Sequence, residues 1–157
     1  MAAMTRVQFL DWAAHLVQQG SQACRDSQAG QARMENVHLM NENGRWTMLA
    51  LVGTHSDSPQ IRDRVWDVVA QFEAVAVIVT AEWRLRRLTD VFGNRLLRPS
   101  FVDVFVGLAS WPAQGVSRPW VYELVREDGE VQLEEVPSYG ERLESQLYWL
   151  TGVLPQG

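Results

Sequence analysis

At 157 residues, 46% hydrophobic and 21% charged, the chain suits one ordinary globular domain, which buries roughly 70% of the surface its unfolded form exposes. A formal charge of -5 argues against nucleic-acid binding over the whole surface, and a single cysteine, Cys24, excludes an intrachain disulfide framework. The longest largely apolar run, Val75 to Ala81, is far shorter than the roughly 20 residues of a membrane helix, so the expectation is a soluble protein in a reducing, cytoplasmic setting.

Thr5 and Gln8 have capping-box spacing, and Val7, Leu10, Ala14 and Val17 follow at helical intervals up to Gly20, a suitable stop. The stretch "VQFLDWAAHLV" is read as this amphipathic helix and not as a signal sequence, because Asp11 and His15 interrupt it. Residues 21–35 are polar and aperiodic, which fits a loop or a frayed extra helix. Asn43-Gly44 then sits between two alternating runs and predicts a hairpin. A two-residue loop opposes Glu42 to Arg45 and Leu39 to Met48, and it puts Val37, Leu39, Trp46, Met48 and Ala50 on one face.

A second helix follows, capped by Asp57 or Ser58, with Pro59 in its first turn and Ile61, Val65, Val68 and Phe72 as its apolar stripe. Val75 to Ala81 is apolar on both faces and reads as a central strand covered on both sides, or as one covered by helices and a partner subunit. Phe101 to Leu108 forms another strand, with Asp103 on the face of Phe101 and Phe105. In "WVYELVREDGEVQLEEV" a three-residue turn with a glycine bulge pairs Arg126 with Glu130 and Val125 with Val131. A two-residue turn would confront Glu127 with Glu130 and Glu123 with Glu134, so the longer turn is expected. Ser138 and Glu141 have capping-box spacing before a last helix carrying Leu143, Leu147 and Leu150 and ending at Gly152 and Pro155. The sum is a single α+β domain over residues 1–157: one mainly antiparallel sheet of five or six strands with helices packed on it, in the order α-β-β-α-β-β-β-β-α.

Few residue patterns carry chemistry. His55 and Asp57 are the one close pair of this kind, and no HExxH or CxxC spacing supplies further metal ligands. There is no GxSxG elbow and no phosphate loop, and no cofactor is expected. The arginines after the central strand are more informative: Arg84, Arg86, Arg87, Arg95 and Arg98 fall within fifteen residues that hold one acid, Asp90. If the strand continues, Glu82 and Arg84 face one side and Trp83 the other. Such a rim can recognise phosphate or a partner's carboxylates, although a solvated run of charges is the plainer account. Of the seven tryptophans, any that one sheet-and-helix core cannot hide would be expected at an interface, although core packing is the plainer account of most of them.

The segments "VAVIVTAEWRLRR", "RPSFVDVFVGL" and "YELVREDGEV" are similar to a loosely defined set of small uncharacterised bacterial and phage proteins, over roughly Val75 to Val136. That resemblance implies an α+β domain encoded on a mobile element, with no catalytic role to carry over. The element order also resembles that of roadblock and profilin-like domains. The expected function is non-enzymatic: protein interaction or homodimerisation, through an exposed sheet edge or a tryptophan-bearing surface, with Glu82, Trp83, Arg84, Arg86, Arg87, Arg95 and Arg98 as candidate binding residues. The other expectation is a small hydrolase or a nucleotide- or anion-binding protein, which would gather Glu82, Asp103, His55, Asp57 and the arginines about one pocket.

Overall fold

A computed structural model describes residues 4–26, 34–52, 58–89, 94–127 and 130–157. Their elements are α1 (Arg6–Asp26), β1 (Met34–Asn41), β2 (Trp46–Val52), α2 (Pro59–Phe72), β3 (Ala74–Thr89), β4 (Arg95–Trp111), β5 (Val116–Glu127), β6 (Glu130–Glu135), α3 (Gly140–Gln146) and α4 (Tyr148–Thr151). The strands form one sheet in the order β2-β1-β3-β4-β5-β6, antiparallel throughout. Expected class and strand count both hold.

Each face of this sheet has its own core. On one face Val37, Leu39, Val77, Val79, Val106 and Leu108 meet Val65 and Val69 of α2 together with Leu143, Leu147 and Leu150 from the C-terminal helices. On the other, Ile78, Phe105 and Ala109 meet Phe9, Ala13 and Val17 of α1. A strand covered on both sides cannot alternate apolar with polar residues. That is why Val75 to Ala81 is apolar but for Thr80, and each of its side chains is buried.

The capping box forms as expected: the Thr5 amide donates to Gln8 Oε1 at 2.9 Å, and the Gln8 amide donates to Thr5 Oγ1 at 3.1 Å. Gly20, however, does not end the helix. It lies where α1 crosses β4, and a Cβ at this position would fall 2.5 Å from Phe105 Cζ. Gly107 of β4 makes the reciprocal approach, since its Cβ would fall 2.4 Å from Val17 Cγ2. These two glycines let helix and sheet come close, and α1 runs on to Asp26 with Cys24 buried under it. Of the expected loop over 21–35, residues 27–33 lie outside the described residues.

Both hairpin registers differ from expectation by one residue. In the first, Met40 pairs with Trp46 and Leu39 with Thr47, so the loop is the three residues 42–44, with Gly44 left-handed at φ 74°. The Asn41 side chain decides this, because its Oδ1 accepts from both the Asn43 and the Arg45 amides at 3.0 Å. A one-residue slip exchanges faces. Val37 and Leu39 therefore join Leu49 and Leu51 in the α2-side core, whereas Met40 and Trp46 join the α1 side.

In the second hairpin Glu127 pairs with Glu130 and Glu123 with Glu134. The expected three-residue turn is thus overturned, and Asp128 and Gly129 themselves lie outside the described residues. Opposing Leu124 to Leu133 outweighs like-charge pairs worth only some tenths of a kcal/mol at a solvated rim.

Helix α2 begins at Pro59 as expected, but Ser58 before it makes no side-chain capping hydrogen bond, and Asp57 lies outside the described residues. At the C-terminus the expected capping box is replaced by a 3-10 turn over Pro137–Tyr139, which feeds Gly140 onto Pro119. The helix also breaks at Leu147 into α3 and α4. Trp66 ties α2 to α4 by donating its indole N-H to the Trp149 carbonyl at 2.8 Å.

Close packing of α1 on β4 makes Gly107 intolerant of a side chain. Gly107→Ala is expected to lower the unfolding free energy by about 1–3 kcal/mol in urea titrations, and Val17→Ala in the same chain should recover part of that loss. An unchanged midpoint for Gly107→Ala would contradict the close approach.

Candidate functional site

Pairing of β3 with β1 ends at Ala81, and pairing of β4 with β5 ends at Val104. The two central strands continue together from Glu82 to Thr89 and from Arg95 to Asp103. Among the described residues, this extension is a two-stranded arm roughly 25 Å long, at about 3.3 Å per residue. Every candidate binding residue lies on it.

The arm's root is held from both faces. Trp83 packs against the α2-side core and its indole N-H donates to Glu35 Oε1 at 2.6 Å. Glu35 is only 4% exposed and sits opposite Ala81, so this hydrogen bond offsets part of the cost of burying a carboxyl group. On the α1 face, Glu82 lies beside the buried Cys24 thiol and accepts its hydrogen bond. Burial first, then the charge of Glu82 and this hydrogen bond, then the charge of Asp103, push the Cys24 pKa up to about 12. A thiol held protonated is neither a nucleophile nor a metal ligand at neutral pH. Its contribution to stability is present below the free thiol's pKa and is lost as pH climbs toward 12.

Farther out, Arg84, Arg95, Leu97 and Phe101 are exposed. Arg84 pairs with Asp103 across the strands, Nε to Oδ1 at 3.4 Å, and its guanidinium lies 6.0 Å from the centre of the Phe101 ring. Both charged side chains are about half exposed, where such pairs contribute roughly 0.2–1 kcal/mol. Arg86 and Arg87 stand opposite Phe101 and Ser100, and Arg95 stands opposite Thr89. Arg98 lies in the same outer part of β4. Arg95 is exposed. Phe101 is 61% exposed and Leu97 fully so.

The structure thus brings Glu82, Arg84 and Asp103 to one face and puts Trp83 on the other. His55 and Asp57, proposed to complete a pocket with them, lie outside the described residues. Cavities of about 430 Å³ and 350 Å³ are lined by α2 and by residues of β2 or the start of β3, and neither holds Glu82, Asp103 or an arginine of the arm. Among the described residues no three His, Cys, Asp or Glu side chains are grouped so as to hold a metal. None of their helices is long and apolar enough to cross a membrane.

Two participants escape a reading of the sequence. Cys24 could have been found, because it continues the Phe9, Ala13, Val17 stripe by two further turns. Glu35 could not, since nothing local distinguishes it from a solvated glutamate. Comparison with known protein families, curated proteins and solved structures finds no match for this chain. The likenesses to bacterial and phage proteins and to roadblock or profilin-like domains therefore remain likenesses of short motifs and element order.

The arm's two anchors should differ sharply in strength. Trp83→Phe, which keeps the ring but removes the donor to Glu35, is expected to destabilise by about 1–3 kcal/mol, whereas Arg84→Gln should cost less than about 1 kcal/mol. Equal losses in urea unfolding would contradict this ranking.

Proposed function

We propose that the protein is a non-enzymatic interaction module that works as a homodimer and presents its β3-β4 arm to a protein partner. What carries this reading is that, among the described residues, three of the eight large exposed apolar side chains lie on weakly paired strands, the other five being on the helices or the C-terminal segment. Met48, 54% exposed, is on the edge strand β2, and Phe101 and Leu97 are on the arm. These are the elements with the fewest backbone partners, and a two-stranded ribbon is marginal in water without something packed on it.

The arm's composition supports a protein partner. Aromatic and aliphatic groups beside arginines are the mixture enriched in protein interfaces. Residues 84–101 carry five arginines and one acid, whereas the rest of the chain carries nine arginines and eighteen acids. A basic arm on an acidic body suits a partner surface that is acidic and partly apolar. The hydrolase reading finds less support, because Glu82 is engaged with a protonated thiol and Asp103 with Arg84.

Sedimentation equilibrium from low micromolar to near-millimolar protein tests the reading. The expected mass at the upper end is twice the 17.9 kDa of one chain. A single-chain mass throughout would contradict it.

A further inference from the structure

The sheet has two edges of opposite character. β6 carries Glu130, Glu134 and Glu135 along its six residues, and like charges on an edge strand oppose pairing with another copy. β2, Trp46–Val52, has no charged residue and no proline. Among the described residues it has β1 as its sole strand partner. Its pairing with β1 fixes which backbone groups are free. The Asn41 amide donates to the Arg45 carbonyl, so hydrogen-bonded pairs recur at every second residue, through Thr47, Leu49 and Leu51. The N-H and C=O groups of Trp46, Met48 and Ala50 therefore point outward. Beside this edge, Leu49, Leu51, Ile61, Val65 and Val68 line, together with Arg64, the 350 Å³ groove between β2 and α2.

We propose that β2 pairs antiparallel with β2 of a second copy about a two-fold axis at Leu49, joining two six-stranded sheets into one. This rests on the homodimer reading above and names its surface. A second copy is the occupant because the edge complements itself. An axis at Leu49 opposes Met48 to Ala50 of the second copy and Thr47 to its Leu51, so outward-pointing groups meet outward-pointing groups and no like charges face each other. Faces are preserved, so the exposed Met48 is covered on the α1 side and the groove on the α2 side. There α2 offers a balanced set, Arg62 and Arg64 with Asp63 and Asp67, in which opposite signs can meet across an antiparallel helix pair. The acidic β6 edge keeps the assembly closed at two chains.

Met48 and Ala50 are both exposed, so charges there leave the fold intact, as circular dichroism and the urea midpoint will show. In this register Met48→Lys with Ala50→Lys places like charges opposite each other twice. The dimer dissociation constant in sedimentation velocity should rise at least about tenfold. Met48→Glu with Ala50→Lys places Glu opposite Lys twice and should stay within about threefold of wild type. A wild-type dimer that the double-lysine chain leaves unweakened would overturn the β2 assignment while the homodimer stands. Equal weakening by both variants would overturn the register, and a monomeric wild type would overturn interface and homodimer together.

Discussion

The rest of the structure depends on the close seating of α1 on β4. At two points, Gly20 against Phe105 and Gly107 against Val17, a single methyl group would collide. This contact lets α1 cover one face of β3 and β4 while α2, α3 and α4 cover the other. With both faces shielded, β3 is buried at every position from Ala74 to Ala81. A helix held farther out would leave a gap under its length, and dispersion contacts fall steeply with such a gap.

From this central slab the arm gains its direction. β3 and β4 leave the sheet together, and their first residues beyond it are clamped against the two faces: Trp83 with Glu35 on one side, Glu82 with Cys24 on the other. Beyond the clamps the same strands carry exposed Phe101 and Leu97 and a net basic charge. Rigid at the root and apolar at the reach, the arm is organised to meet another surface. The sheet's edges complement this division, one acidic and one uncharged.

Much of this was legible in the residues. Apolarity on both faces, broken only by Thr80, marks β3 as doubly covered, the Thr5 and Gln8 spacing fixes the start of α1, and period-two alternation puts Glu82 and Arg84 opposite Trp83. The failures have specific physical origins. Turn length reads from the Asn43-Gly44 pair in one hairpin and from charge pairing at the rim in the other, whereas the Asn41 side chain in the first and the facing of Leu124 with Leu133 in the second set the register. Gly20 reads as a terminator because its tertiary role, the approach of Phe105, has no local signature. The buried Glu35 depends on an indole 48 residues away, a relation no window of sequence contains.

Native-state hydrogen exchange, read residue by residue along β3, tests the central claim most directly. The account predicts that amides from Val75 to Ala81 exchange last, at the rate of global unfolding, and that those from Leu85 to Thr89 exchange much earlier through local opening of the arm. Exchange of Val75 to Ala81 as fast as that of the arm would contradict a doubly shielded centre and everything built outward from it.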